Sequence, residues 1–219
     1  MIPARDEEDR IAHAALSARA PGVDIIVVDA GSQDATRERA QVAGVRVVSS
    51  EPGRARQLAA GAAAACPEVE TLLFLHADTE LPSGWADAVR AALVEPAVVG
   101  GAFAFRFAEP GAALRWVEWG VRVRLWLARL PYGDQALFVR RRVLDAIGGV
   151  PQAPIMEDLD LVRAMKAHGR LALLPAAAVT SARRYLERGV LRTVLRNTGA
   201  LLGWTLGLDR ARIAAWYRR

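Results

Sequence analysis

Short apolar runs and amphipathic segments alternate along the first half of the chain. The clearest apolar run, Val23–Val28, ends in the polar cluster Asp29–Asp34. A short continuous run of this kind predicts a buried strand, whereas apolar residues recurring every three or four positions predict a helix. The pattern predicts helices over Asp9–Ala20, Thr36–Ala43, Ala55–Cys66 and Trp85–Val94, and strands over Val23–Val28, Val45–Val48 and Leu72–Leu75.

The pattern changes after Val98. Ala102–Phe107 is predicted to be a strand of antiparallel type. The tryptophans of the arginine-rich stretch Leu114–Leu130 are predicted to pack in the core or against a helix, with a platform for sugar or lipid as the alternative. Further strands are predicted over Ala136–Val139 and Leu171–Leu174, further helices over Val143–Ile147 and Glu157–His168, and a helical tail after them. The predicted fold class is α/β, with a mostly parallel sheet covered by helices on both faces and a mixed second half.

Size and composition fit one globular domain. The chain has 219 residues, of which 53% are hydrophobic, and it shows no internal repeat or low-complexity linker. We expect one domain over residues 1–219, with a first half over 1–99, a second half over 100–182 and a basic tail over 183–219. A single cysteine excludes an internal disulfide, and no signal peptide or spanning helix is recognisable, so a cytoplasmic location is expected.

The positive charge is concentrated at the C-terminus. Residues 183–219 hold nine arginines against Glu187 and Asp209, a balance of +7, although the net charge of the whole chain is +5. A basic tail interleaved with leucine and tryptophan suits an anionic membrane surface better than a nucleic acid, for which no signature is present. A solvated basic face is the alternative.

The stretch Leu72–Pro82 carries the first candidate chemistry. His76 and Asp78 follow a predicted strand at positions i and i+2, so in extended chain their side chains leave on the same face. An imidazole and a carboxylate on one face can hold a divalent ion, and the ion can hold a diphosphate. The alternative is a strand end capped by a polar turn.

Two further acidic sites stand at comparable places. Asp29 follows a strand, and Glu157-Asp158 opens a helix. Either could be purely structural, as a turn residue or a first-turn helix acid. Open α/β sheets bind their ligands at the carboxyl ends of the strands, so an ordered set of acids there favours a binding site.

Several motifs resemble those of family 2 glycosyltransferases. Ile25–Asp34 is similar to the family's V-D-x-G-S-x-D segment, and Phe74–Asp78 is similar to its D-x-D segment. Met156-Glu157-Asp158 resembles the E-D motif, and Ile2–Glu8 the first-strand motif that usually ends in N-E-E. The similarity covers most of the chain, and the motifs stand in the family's order.

A narrower resemblance is to a bacterial branch labelled arsenosugar-biosynthesis or selenodomain-associated glycosyltransferases. It rests on Gly53–Gln57, Tyr132–Gln135 and Thr180–Arg184, together with Phe74–Thr79. The sequence departs from common patterns in having His76 for the first Asp of D-x-D, Ala59 for an Asn and Tyr185 for a Trp.

The resemblance implies a GT-A fold, a nucleoside-diphosphate sugar donor with uridine as the family-level choice, and Mg²⁺ or Mn²⁺ held by Asp78 and His76. It implies that Asp158 acts as base on an acceptor hydroxyl, with Glu157 beside it. In-line attack between the metal and the base predicts inversion at the anomeric carbon. Donor contacts are implied at Pro3, Asp6, Glu7, Asp29, Ser32, Asp34, Arg54, Gln57, His76, Ala77 and Asp78, and acceptor or sugar contacts at Gly133, Asp134, Gln135, Arg183 and Arg184.

Two other functions remain as alternatives at this point. A sugar nucleotidyltransferase shares the architecture but needs a glycine-rich motif after the first strand, and residues 3–10 contain no glycine. A non-catalytic sugar-nucleotide sensor or membrane adaptor would fit Ala59, but the intact Asp78, Glu157 and Asp158 argue against it. A dinucleotide oxidoreductase and a P-loop enzyme are excluded by the absence of their glycine-rich motifs.

Overall fold

Strands and helices alternate through the first half of the chain, as the pattern predicts. The computed structural model describes residues 1–218. The strands of this half are β1 (Ile2–Ala4), β2 (Ile26–Asp29), β3 (Arg46–Ser49), β4 (Thr71–Phe74) and the short β5 (Thr79–Glu80). The helices are α1 (Ile11–Ser17), α2 (Thr36–Val42), α3 (Arg54–Ala64) and α4 (Trp85–Leu93).

The second half contains longer strands and most of the helical mass. Its strands are β6 (Val98–Phe107), β7 (Leu137–Arg140) and β8 (Arg170–Thr180). Its helices are α5 (Ala112–Ala128), α6 (Arg141–Ala146), α7 (Glu157–Lys166), α8 (Arg183–Arg188), α9 (Val190–Thr205) and α10 (Arg210–Arg218), and a 3-10 turn spans Gly133–Gln135.

The strands form two ladders that meet at Met1. β1, β2 and β3 are parallel, and the other ladder has the order β4-β7-β6-β8-β5. The Met1 nitrogen donates to the Leu73 carbonyl (2.7 Å), and the Leu75 nitrogen donates to the Met1 carbonyl (3.0 Å). This is the bonding pattern of neighbouring parallel strands, so β4 lies beside β1 and the described strands form one continuous surface.

The second ladder is mixed. β7 runs antiparallel to both β4 and β6, whereas β6 pairs in parallel with β8. The expectation of an antiparallel strand at Ala102–Phe107 is therefore wrong, because these residues pair in parallel with β8, and β6 pairs antiparallel with β7 only at Gly100 and Gly101. Gly100 and Gly101 lie where β6 passes its neighbours most closely, because a Cβ at either position would collide with the carbonyl oxygen of Phe138 or Ala172.

Burial follows the strand pattern closely. Val27 and Val28 in β2 have no exposed surface, as expected for a strand covered on both faces. The predicted helices are all present, and each ends one to three residues earlier than predicted, whereas α3 begins one residue and α6 two residues earlier than predicted. No helix within residues 1–218 is both long enough and apolar enough to span a bilayer.

The tryptophans of α5 correct one expectation. Trp116, Trp119 and Trp126 are 71%, 54% and 80% exposed, so the prediction that they pack into the core is wrong. The inward face of α5 is made instead by Leu114 and Leu125. The basic tail is helical as predicted through Arg218, and its last arginine, Arg219, lies outside the described residues.

Candidate active site

A cleft of about 300 Å³ opens where β1 and β4 end, beside the ends of β6 and β8. Its floor and one wall come from the segments that follow β1 and β4, and the other wall comes from the 3-10 turn and helices α8 and α9. It is lined by Pro3, Ala4, Arg5, Glu7, Arg54, Gln57, His76, Ala77, Asp78, Phe105, Phe107, Asp134, Thr180, Ser181, Arg184, Tyr185 and Asn197.

His76 and Asp78 lie together in this cleft. β4 ends at Phe74, the buried Leu75 anchors the chain, and His76 Nδ1 stands 3.9 Å from Asp78 Oδ1. Burial and the nearby charges of Arg54 and Arg184 hold the pKa of His76 well below its usual range. The imidazole is therefore neutral at physiological pH, which is the form that can ligate a metal ion.

This pair fits a divalent cation that substrate completes. Within residues 1–218, no group of three or more His, Cys, Asp and Glu side chains is placed to hold a metal ion. Mg²⁺ is commonly held by one or two protein carboxylates together with phosphate oxygens and water rather than by a complete protein cage. Asp78 supplies one such carboxylate in an open cleft, and His76 adds a nitrogen donor beside it.

Arg54 links the two halves of the cleft. Its Nε lies 3.1 Å from Glu157 Oε1, and its Nη2 contacts His76 Nε2. Gly133 leaves room for this guanidinium, because a Cβ there would collide with Arg54 and stand 3.0 Å from His76 Nε2. Glu157 is buried beside Arg54 and does not line the cleft. Burial raises the pKa of Glu157, and the Arg54 charge opposes that effect.

Asp158 holds the 3-10 turn from behind. Its Oδ2 accepts a hydrogen bond from the Gly133 nitrogen (2.7 Å), and its Oδ1 accepts one from the Leu159 nitrogen (2.9 Å). The residue before this pair, Met156, has a left-handed backbone (φ 62°), a strained conformation of the kind often found at functional sites. The structure thus connects the Glu157-Asp158 motif directly to the Gly133–Gln135 turn.

Asp134 is the carboxylate of that turn that faces the cleft. Its Oδ1 is buried and has no hydrogen-bond partner among the described residues. Burial raises the pKa of Asp134 to about 6, and Asp158 and Asp78 add to the effect, while Arg124 and Arg54 oppose it. A buried acceptor without a donor is rare in folded proteins, and a hydroxyl of a bound molecule would satisfy it.

Gln135 points the other way. It is fully buried, its Nε2 donates to the Phe103 carbonyl (2.9 Å), and its Oε1 accepts from Tyr132 and Arg124. All of its polar atoms are occupied, so it supports the turn and does not face the cleft as the sequence motif suggests.

The predicted nucleoside residues form a separate bonded group at the end of β2. Asp29 is fully buried and accepts hydrogen bonds from Ser32 Oγ (2.5 Å) and Arg37 Nη1 (3.1 Å). Burial acts to raise the pKa of Asp29, but these bonds hold it below its usual range. Asp34 Oδ1 accepts a hydrogen bond from the Thr36 nitrogen (3.0 Å), and Asp6 Oδ1 accepts one from the Gln33 nitrogen (2.8 Å). None of Asp6, Asp29, Ser32 and Asp34 lines the cleft described above.

Two arginines of the Thr180–Arg184 motif have different roles. Arg183 Nη2 lies 3.3 Å from both carboxylate oxygens of Glu7, which ties α8 to the segment after β1. Arg184 lines the cleft and is 3.4 Å from the hydroxyl of Tyr217.

Sequence reasoning missed part of this wall. Arg5, Phe105, Phe107, Thr180, Tyr185 and Asn197 line the cleft but were not among the predicted site residues. Asn197 donates to the Tyr185 hydroxyl (3.0 Å) and accepts from the Tyr217 hydroxyl (2.7 Å). The signal for Asn197 is its position, because it interrupts the longest apolar stretch of the tail.

Comparison with known proteins gives the following. A family model described as glycosyl transferase family 2 matches residues 1–149. Glucosyl-3-phosphoglycerate synthase from Mycobacterium tuberculosis, solved with Mn²⁺, UDP-glucose and glycerol 3-phosphate, aligns with a TM-score of 0.65 at 23% identity, covering 95% of this chain and 79% of that chain. The same enzyme with phosphoglyceric acid gives a TM-score of 0.67 at 22% identity, with the same coverage.

A further solved structure, described as a mycobacterial protein, aligns with a TM-score of 0.55 at 28% identity, covering 82% of this chain and 63% of that one. A search of curated proteins found no match. The structural likeness shows the GT-A fold that the sequence predicts.

Proposed function

The chain belongs to glycosyl transferase family 2, and on that premise we propose that it moves a sugar from a nucleoside-diphosphate sugar to an acceptor hydroxyl with inversion at the anomeric carbon. The observation that carries the proposal is the cleft in which a neutral imidazole and a carboxylate meet, opposite a carboxylate with an unsatisfied oxygen. That arrangement provides a place for a diphosphate on one side and for hydroxyl groups on the other.

Asp78 and His76 are the proposed holders of Mg²⁺ or Mn²⁺. The solved structures that this chain resembles contain Mn²⁺ with UDP-glucose, or Mg²⁺ with UDP. When bound, such an ion would neutralise the charge that develops on the diphosphate leaving group. Arg184, which lines the same cleft, is placed to add positive charge near it.

The donor is proposed to be a uridine nucleotide sugar. Pro3, Glu7 and Gln57 lie in the cleft, and Gln57 Nε2 fixes the ends of β1 and β2 by donating to the carbonyls of Ala4 (3.0 Å) and Val28 (2.9 Å). Asp29 is proposed to stand behind the nucleoside pocket and to hold its Gly31–Ser32 backbone, since its own oxygens are occupied.

The proton of the acceptor hydroxyl needs a base. Asp158 is the base that the family resemblance implies, and Asp134 is proposed to accept a hydrogen bond from a sugar hydroxyl. As the acceptor oxygen forms its bond to the anomeric carbon, the bond between that carbon and the diphosphate oxygen breaks. The proton of the acceptor hydroxyl passes to the Asp158 carboxylate. The two carboxylates belong to one bonded unit, because Asp158 fixes Gly133.

The basic C-terminal segment supports a proposed contact with an anionic membrane surface in addition to this chemistry. Residues 183–219 carry the +7 balance noted above, and near a charged membrane each basic residue contributes about 1 kcal/mol. The transfer reaction itself does not depend on this contact.

A thermal-shift panel of nucleotide sugars, each with and without Mn²⁺, tests the reaction class. A ligand that binds only the folded protein raises its apparent stability, so the donor should stand out, and its shift should need the metal. Asp78→Ala should remove the metal-dependent part of the shift. The matched control is Asp87→Ala, which removes an exposed acid of α4 far from the cleft and should change nothing.

Turnover separates the enzyme from a sensor. Release of free nucleoside diphosphate in the presence of an acceptor mixture is expected for a transferase, and binding without release would contradict the proposal. Binding of the nucleotide sugar by the wild-type protein without metal would contradict only the proposed metal-holding role of Asp78 and His76.

A further inference from the structure

The outer face of α5 is an exposed aromatic surface. Trp116, Trp119, Val123 and Trp126 stand at positions i, i+3, i+7 and i+10, so they form one stripe along the helix. The three tryptophans are each more than half exposed, and Trp116 packs edge-to-face on Trp119 with ring centroids 5.9 Å apart. Soluble proteins rarely leave aromatic residues clustered in this way without a binding partner.

Positive charge borders this stripe. Arg115, Arg122 and Arg129 follow each other at intervals of seven residues, which places them in a row along one edge of the tryptophans. Arg115 forms an ion pair with Glu118 (Nη1 to Oε2, 3.0 Å), whereas Arg122 and Arg129 form no ion pair with any residue in 1–218. Glu118, the single acid within α5, is buried beneath the helix and is bonded to the Phe107 nitrogen.

The neighbouring helix α9 also exposes apolar side chains. α9 packs beside α5, and its Leu191, Leu195 and Leu202 form an exposed row of their own. Several basic residues of the tail are, by contrast, occupied within the protein, such as Arg183 on Glu7 and Arg210 on Asp160. The tail is therefore not a free basic arm, and its net charge overstates the number of arginines that are available to a binding partner.

We infer that the tryptophan stripe of α5 inserts into the interfacial region of an anionic membrane, with the arginine row on the lipid headgroups and α9 beside it. Tryptophan favours the headgroup level of a bilayer, and an arginine-bordered apolar face is the pattern of helices that lie in that plane. A second copy of the chain fits this face less well, because an antiparallel two-fold contact between the helices would bring the two arginine rows together.

Cosedimentation with vesicles tests the inference on the full chain. The protein should bind vesicles of equimolar phosphatidylglycerol and phosphatidylcholine, and part of the binding should persist at high salt because apolar insertion is not screened. The triple variant Trp116→Ala, Trp119→Ala, Trp126→Ala should partition into them roughly a hundredfold less, about fivefold for each tryptophan. The control variant Leu16→Ala, Val42→Ala, Val94→Ala removes three exposed apolar residues from the first half of the chain and should bind as wild type does.

A charge variant, Arg122→Gln with Arg129→Gln, should show a weaker preference for phosphatidylglycerol and keep the salt-resistant part of the binding. Circular dichroism should show all variants folded, since the changed side chains are exposed. Unchanged binding by the tryptophan variant would overturn the inference and return the contact to the tail. Absence of vesicle binding in the wild type would also overturn it, and a wild-type dimer that the tryptophan variant dissociates would assign the face to a contact between copies.

Discussion

At the scale of single residues, the two carboxylates near the 3-10 turn, Asp134 and Asp158, differ in their hydrogen bonding. Asp158 accepts two backbone hydrogen bonds, whereas Asp134 keeps an unpartnered oxygen in the cleft. The motif resemblance indicated both residues but could not show which of them would keep an unpartnered oxygen, because the bond from Gly133 to Asp158 joins segments 25 positions apart. The inward orientation of Gln135 was unpredictable for the same reason.

Asp134→Asn should stabilise the protein at neutral pH and impair its function. The pKa of Asp134 lies above its ordinary 3.8, at about 6, so between these values the folded protein holds a proton that the unfolded chain has lost. Stability therefore falls as pH rises through this window, by up to about 3 kcal/mol for a shift of this size. Urea unfolding of the protein without metal or nucleotide, at about pH 4 and about pH 7, measures it.

The asparagine variant should lie close to wild type at the lower pH and be more stable by roughly 2 kcal/mol at the higher one. In assays its KM for the donor should rise, since a sugar hydroxyl loses its charged acceptor. A variant whose stability tracks the wild type at both pH values would mean that Asp134 is not buried as a charged group.

Asp158→Asn tests the proposed base. Loss of a general base lowers transfer by roughly 10²–10⁴, while donor binding is kept because an asparagine can still accept the Gly133 hydrogen bond. Single-turnover kinetics together with nucleotide-sugar titration separate the two effects. A large loss of transfer in Asp134→Asn with little loss in Asp158→Asn would move the base to Asp134, and normal transfer in both variants would contradict catalysis by this turn.

At the scale of elements, one acidic residue of α7 bonds both α9 and α10 to the rest of the protein. Asp160 accepts hydrogen bonds from Trp204 Nε1 (2.8 Å) in α9 and from Arg210 Nη2 (2.6 Å) in α10. Both contacts are half-buried, and Arg210 also lies over the Trp204 ring. The sequence predicted α7 from its periodicity and the region of α9 and α10 as one helical tail, but a contact between α7 and α10 leaves no periodic signal.

Asp160→Ala should release α9 and α10 from α7. It removes a charged acceptor and leaves Arg210 half-buried without its partner, which costs about 2–4 kcal/mol. Limited trypsin digestion should then cut among the tail arginines well before the core is digested. The matched control is Asp209→Ala, which removes only an exposed cap on the Arg212 nitrogen and should cost about 1 kcal/mol. Equal protection of the tail in both variants would show that its packing, and not Asp160, holds it.

At the scale of the whole molecule, the order of the strands is the feature that the sequence revealed least. The strand–helix alternation correctly predicted β2 and β3 as parallel neighbours, whereas β1 was indicated only by the resemblance of Ile2–Glu8 to a first-strand motif. It could not show that β4 would pair with β7 instead of forming the edge of a parallel sheet. That pairing joins Thr71–Phe74 to Leu137–Arg140, and β5, α4, β6 and α5 lie between them in the chain. The cleft depends on this junction, since His76 and Asp78 follow β4 while Asp134 precedes β7.

The same junction predicts that the proposed halves, 1–99 and 100–182, unfold together. β4 bonds to Met1 on one side and pairs with β7 on the other, so neither half can open without breaking the shared ladder. Differential scanning calorimetry should therefore show one transition, with equal calorimetric and van't Hoff enthalpies.

UDP with Mn²⁺ at about a hundred times its dissociation constant should add about 2.7 kcal/mol to the free energy of unfolding. The midpoint of the whole transition should rise by several degrees, at roughly 2–4 °C per kcal/mol. Asp78→Ala should keep the single transition and lose the ligand-induced rise. Two transitions, of which only the first moves with nucleotide, would instead show that the nucleotide half folds on its own and that the ladder at β4 is too weak to couple them.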